Sequence, residues 1–300
     1  MTLNGLLFIG DPHVSSRVPG FRSDDYPRAI LKKLEWCRDY ALQNRLKTAI
    51  LGDLFNYPRD NANWLLKELI DLFRSFQPLA IYGNHDVHEN TISSDDSFSV
   101  LAASGALQLL EPERPWSGEV AGRQVVVGGT SWGKDLPTGC DLKADHVFWM
   151  THHDLLVPGY EEFGRLRPKD LPGIDAVING HIHRVLEVFK KGQTSWITPG
   201  NIARVSRGDA TRDHTPAVLR INFQDDGWAT QWVTIPHGDF DDVFYDQVKE
   251  AERGEADSMF IHGLTEMKAR RTDSGAGLRQ FLDDNLPNFE EQVRTEINKL

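Results

Sequence analysis

Five short clusters of Asp, Asn and His, each directly behind an apolar run, constrain this chain more than any other feature. They are Asp11-Pro12-His13, Gly52-Asp53, Gly83-Asn84-His85-Asp86, Thr151-His152-His153-Asp154 and Gly180-His181-Ile182-His183. The runs before them, near residues 6–9, 49–51, 78–82, 147–150 and 176–178, have the length and composition of buried strands. Between the first three runs the apolar spacing turns helical, over about 28–46 and 65–73. Strand–helix alternation of this kind predicts parallel strands joined by right-handed crossovers. In such sheets the loops diverge at the carboxyl ends of the strands and leave a crevice. All five clusters are therefore expected to meet along one edge.

Further along, residues 97–104 read as a short helix and 119–128 as a hairpin turning near Gly122. Strand-like runs follow at 184–189 and 194–198, with 190–193 as their turn. A last pair, 217–223 and 228–235, turns at Asp225-Asp226-Gly227. Together these predict an α/β chain of two mixed sheets packed face to face with helices outside. Two domains are expected: a catalytic one over 1–238, and an acidic, mainly helical segment over 239–300 with a hinge at 272–277.

Convergence of these side chains matters because of what they are. Asp11, His13, Asp53, Asn84, His152, His181 and His183 offer oxygen and imidazole donors, a mixture that suits manganese, iron or zinc better than calcium. Asp53, alone in its cluster, suits a carboxylate bridging two cations. A pair of ions can hold both a hydroxide nucleophile and a phosphate oxygen, and can make hydroxide available near neutral pH. His85 is placed to protonate a departing oxygen as a general acid. Taken singly, each cluster could be an ordinary polar turn. Their joint occurrence, in order and each at a strand end, is what favours a site. Of His152 and His153, one can ligate while the other packs, and the first residue after the run is the better candidate.

Several classes are excluded. The chain has neither a GxxxxGK[ST] phosphate loop nor a GxSxG elbow. Cys37 and Cys140 are the only cysteines and form no CxxC pair, which argues against a thiolate zinc site or a disulfide framework. No apolar run approaches the ~18 residues of a membrane span, and a reducing cytoplasmic setting is expected. The net charge is −11, unevenly spread: residues 239–300 hold 15 acidic and 8 basic side chains, leaving −4 for the rest. Non-specific affinity for polyanions is disfavoured, although a local basic groove is compatible with these figures. Arg17 and Arg22 follow the first cluster, and Arg204, Arg207 and Arg212 follow the last. They are either phosphate-gripping groups beside the site or solvated loop charges.

The five blocks resemble the ordered pattern D-x-H, G-D, G-N-H-[DE], H, G-H-x-H of the calcineurin-like metallophosphoesterases, over about residues 6–235. The resemblance implies a four-layer α/β/β/α sandwich and two divalent metals, manganese foremost, with iron, zinc or magnesium as alternatives. It implies that Asp11, His13 and His183 hold one ion, that Asn84, His152 and His181 hold the other, and that Asp53 bridges them. His85 and Asp86 become the candidate catalytic residues, and Arg17, Arg22, Arg204 and Arg207 the candidate substrate-binding ones. Gly52-Asp53-Leu54-Phe55, and Thr198-Pro199-Gly200-Asn201 after the His-x-His block, look most like the Mre11/SbcD DNA nucleases. Asn56 stands where relatives often carry Asp or His, and Asn201 replaces a Ser. That branch implies a DNA nuclease, with DNA and a second copy of the chain or an SMC-like ATPase as partners, and no membrane. A phosphodiesterase or phosphatase for nucleotides or other small phosphoesters is the alternative, and a non-catalytic scaffold is a third. The 239–300 segment would be a cap, a dimerisation element or a docking tail.

Overall fold

The computed structural model describes residues 2–161, 164–207 and 209–245. The chain divides into two units, Met1–Asp246 and Gln247–Leu300. The expected helices and hinge of the acidic segment fall mostly in the second unit, outside the described residues.

The elements in order are β1 (Gly5–Ile9), α1 (Tyr26–Asn44), β2 (Leu46–Ile50), α2 (Asn63–Arg74), β3 (Leu79–Ala80), α3 (Ser97–Ala103), β4 (Gln108–Leu109), β5 (Trp116–Val120), β6 (Arg123–Thr130), β7 (His146–Thr151), β8 (Ala176–Asn179), β9 (Phe189–Lys191), β10 (Thr194–Ile197), α4 (Asp209–Arg212), β11 (Ala217–Gln224), β12 (Gly227–Thr234) and α5 (Phe240–Val243). They build two mixed six-stranded sheets, ordered β12-β11-β1-β2-β3-β4 and β5-β6-β7-β8-β10-β9. β1 lies at the centre of the first, parallel to β2 and antiparallel to β11.

The alternation of side chains along each strand assigns the layers. In β1, Leu7 and Ile9 face α1 and α2, whereas Leu6 and Phe8 face the second sheet. In β7, Phe148 and Met150 meet them there, and Val147 and Trp149 point outward into a third cluster. Every one of these side chains is buried, each stabilising by roughly 1.5–3 kcal/mol relative to exposure. α1 begins at Asp25, whose side chain accepts from the Arg28 N–H, and has Pro27 in its first turn; it stops at Arg45 in the left-handed region. Its face of Ile30, Leu34, Cys37 and Ala41 is buried on the sheet. Helices thus cover the outer face of the first sheet. The outer face of the second is covered by irregular segments carrying Leu136, Leu155, Val157 and Leu171. No helix among the described residues is long and apolar enough to cross a membrane.

Two boundaries differ from expectation. β3 pairs only over Leu79 and Ala80; beyond them the buried Tyr82 N–H turns to the Ser131 hydroxyl instead of the ladder. Residues 184–188 stay out of the sheet: Val185 makes one isolated bridge with Pro199, and a proline has no N–H with which to extend it. The turn is correspondingly later, at Gly192-Gln193, with Lys190 and Lys191 paired in β9.

Candidate metal centre

The clusters sit on tight loops at the strand ends. Asp11, His13, Asp53 and His181 all have positive φ, at 39°, 48°, 45° and 67°. This left-handed region costs a non-glycine residue of order 1 kcal/mol or more. The strain is held by bonds between the loops themselves: the His13 N–H donates to the Asp53 carbonyl, the His181 N–H to Asp11 Oδ1, and the His85 N–H to Asp53 Oδ1. Gly83 is required by close approach, because a Cβ there would run into the Asp53 carboxylate and the His152 ring.

Two groups of candidate ligands result: Asp11, His13, Asp53 and His183, and Asp53, His152 and His181. Within each, the ligand atoms lie within 4.8 Å of one another. Asp53 belongs to both. Asn84 Oδ1 joins the second group, 3.2 Å from His152 Nε2 and 3.0 Å from His181 Nδ1. His13 Nε2 and His183 Nε2 face each other at 3.0 Å. Asp11 Oδ2 is buried with no hydrogen-bond partner. Lone pairs brought together in this way, one of them orphaned, fit divalent cations. All seven sequence candidates for ligation are thus brought together.

Outer partners fix the rings. His152 Nδ1 lies 2.7 Å from the Leu51 carbonyl, and His181 Nε2 lies 2.6 Å from Asp154 Oδ1. Each leaves the other ring nitrogen facing the site, the usual way a ligating imidazole is oriented. Trp132 stacks on His181, with centroids 5.2 Å apart and planes at 29°. Sequence reasoning assigned no role to Asp154 or Trp132. Asp154 adjoins the fourth cluster and could have been suspected from that; nothing in the sequence marks Trp132. His153 is turned away, with Nε2 on the Lys134 carbonyl at 2.7 Å, and burial pushes its pKa down to about 4. His152 is therefore the member of the pair that faces the site.

The electrostatics suit cations. Burial, then neighbouring imidazoles, hold His13 far below its usual range. Burial likewise pushes His183 down to about 3, outweighing the pull of Asp53. Both rings are neutral at pH 7, as ligation requires. Burial disfavours charge on His152, yet Asp53 and Asp11 outweigh it and push its pKa up to about 10. The surplus carboxylate charge that holds this proton is the charge a cation would compete for.

His85 Nδ1 lies 2.9 Å from the Asn56 backbone carbonyl. That contact makes Nδ1 the donor and leaves Nε2 to carry or release a second proton. The partner is main chain, so the side chain at position 56 is not what orients the ring. Asn56→Ala is expected to keep kcat/KM within about threefold, measured by steady-state kinetics; a loss approaching that of His85→Ala would show that the side chain matters.

Two sequence expectations are corrected. Asp86 is not a catalytic group. Its carboxylate is fully buried and accepts from the Leu54, Phe55 and Gly83 N–H groups, bracing two ligand loops against each other. Arg22 and Arg204 are not free to grip substrate at the rim. Arg22 binds Asp24 through Nε and Nη2 and the Arg204 carbonyl through Nη1; Arg204 binds the His214 and Gly238 carbonyls. Both are buried, held by acceptors that the fold brings to them. Arg17 is exposed, and the half-buried Arg207 has an Nη1 with no hydrogen-bond partner among the described residues. Arg212 pairs with Asp241 and lies over the Phe240 ring.

A family model described as calcineurin-like phosphoesterase matches residues 6–185. No curated protein matches the sequence. Among solved structures, the calcineurin-like phosphoesterase YfkN of Bacillus subtilis is 11% identical, with 86% of this chain and 98% of that one covered and a TM-score of 0.41. A hypothetical protein from Thermus thermophilus is 14% identical over 77% of this chain and 100% of that one, with a TM-score of 0.44. A conserved uncharacterized protein of Streptococcus pneumoniae, described as a predicted phosphoesterase, is 12% identical over 80% and 96%, with a TM-score of 0.37. Likenesses this remote say nothing of the substrate.

Proposed function

The chain belongs to the calcineurin-like phosphoesterases, a family of metal-dependent phosphoester hydrolases, and we propose that it is a phosphodiesterase that cuts DNA. The observation that carries a hydrolytic role is the meeting of both ligand groups on one shared carboxylate, Asp53, with His85 beside them. Two bound divalent ions would supply charge neutralisation and a nucleophilic water. The protein's own part is to hold them. Asp11, His13 and His183 would hold one, Asn84, His152 and His181 the other, and Asp53 both. His85, anchored by Nδ1 on the Asn56 carbonyl, keeps Nε2 for the proton that the leaving oxygen needs.

DNA as substrate is supported by the Gly52–Phe55 and Thr198–Asn201 motifs and by Arg17 and Arg207, whose guanidinium groups remain for phosphate contacts. With it we propose manganese as the metal, a cytoplasmic setting, a second copy of the chain or an SMC-like ATPase as partner, and residues 239–300 as the segment that serves it. One observation favours the second reading, a small phosphoester: Arg22 and Arg204 are bound to internal acceptors, which removes two of the four arginines from the rim of the metal centre. The test is turnover by chelator-treated protein resupplied with manganese, on a bis-aryl phosphodiester beside end-labelled single- and double-stranded DNA. Degraded DNA is the expected result. Diester turnover with intact DNA would establish the second reading, and inactivity on both with every divalent metal tried would sink the two together.

A further inference from the structure

A cavity of about 440 Å³ opens beside the segment 202–204, lined among others by Arg22, Lys32, Lys33, Trp36 and Arg204, with Asp24 as the one carboxylate. None of these residues belongs to the metal centre. We infer that this cavity binds a small phosphorylated organic anion, its phosphate groups beside Arg22, Lys33 and Arg204 and its organic part beside the Trp36 indole.

The cations are what carry this. Four basic side chains meet one acid, and two of the four are almost wholly buried. Withdrawing charges of one sign from water is costly unless they are neutralised. Asp24 neutralises Arg22, whose guanidinium also lies over the Tyr26 and Phe244 rings; the other hydrogen-bond partners of these cations are carbonyls, which solvate a cation without cancelling its charge. Lys33 Nζ donates to the Ile202 carbonyl at 2.7 Å, and Arg204 to those of His214 and Gly238. The strain of this arrangement is visible at Lys33, where burial first, then Arg22 and Arg204, push the pKa down to about 7. Donors remain as well. A guanidinium has five N–H groups and an ammonium three. The bonds described use three on Arg22, three on Arg204 and one on Lys33. Phosphate oxygens are the acceptors that such a set of forks and points recognises best. Ala29, Pro236 and Val243 share the apolar lining with Trp36, whose ring is already held parallel to Tyr40 at 5.1 Å. The volume lies within the range of small-molecule sites.

Adenosine diphosphate is a suitable probe. The full chain, stripped of metal by a chelator so that the metal centre is no phosphate trap, would be titrated calorimetrically. Saturable one-to-one binding is expected, weakened at least about tenfold in Lys33→Gln and unchanged in Asp53→Ala. Equal affinity in Lys33→Gln and wild type, absence of saturable binding, or loss of binding in Asp53→Ala would each overturn the assignment. Should Lys33→Gln fail to fold, the exposed Lys32→Gln decides: a several-fold loss supports the site, and no change refutes it.

Discussion

Replacing Asp53 by alanine is expected to remove phosphoester hydrolysis almost completely, with kcat/KM falling at least about 10³-fold, or ~4 kcal/mol of transition-state stabilisation. The size follows from position. Among the described residues Asp53 is the one shared by both ligand groups, so one substitution would take a ligand from both ions together. It also deletes the acceptor of the His85 N–H. Its carboxyl shows how committed it is to positive charge: burial alone would raise the pKa, yet His152 and His85 pull it well below the ordinary range. Metal content should fall in parallel, from two equivalents to one or fewer by elemental analysis after gel filtration. Retention of two equivalents with full activity would mean that the ions, or the chemistry, lie elsewhere.

His85→Ala is expected to separate chemistry from metal binding. His85 lies edge-on to His13, with ring centroids 4.7 Å apart, but it belongs to neither ligand group. Losing its Nε2 should lower kcat by about 10²–10⁴-fold, the usual worth of a positioned general acid, while both metal equivalents stay bound. A diester with a good leaving group, such as nitrophenolate, needs little protonation and should suffer much less than one with an alkoxide leaving group. An equal loss on both substrates would assign His85 to phosphate positioning and not to proton delivery. Measured together, the two variants distinguish a missing centre from an idle one.

The centre was legible in the sequence because ligand identity and strand-end position are both local. An apolar run of four or five residues announces a strand, and the polar residue after it has to lie at the sheet edge. What local pattern could not show was direction. Arg22 and Arg204 read as loop cations, yet their partners are Asp24 and two carbonyls from residues 214 and 238, which only the folded chain brings near. Asp86 shares the Gly83 block with His85, but its carboxylate turns back onto the Leu54 and Phe55 N–H groups. At position 56 the case is the opposite: the contact that orients His85 is a backbone carbonyl, which every residue has. In the sheets, strand existence followed from apolarity, while extent was decided by pairing. Pro199 limits the bridge to Val185, and Ser131 draws Tyr82 away from the β3 ladder.

The placement of β1 bears on how the protein matures in the cell. Its antiparallel neighbour β11 begins at Ala217, about two hundred residues downstream, and His183 is itself made late. While the chain is still emerging from the ribosome, Asp11 and His13 hang from a strand with one bare edge and have Asp53, but not yet His183, to meet. Long-range pairing of this sort is slow to form and exposed to aggregation until it does. The first ligand group is thus complete only once residue 183 has been made, long after its members Asp11, His13 and Asp53.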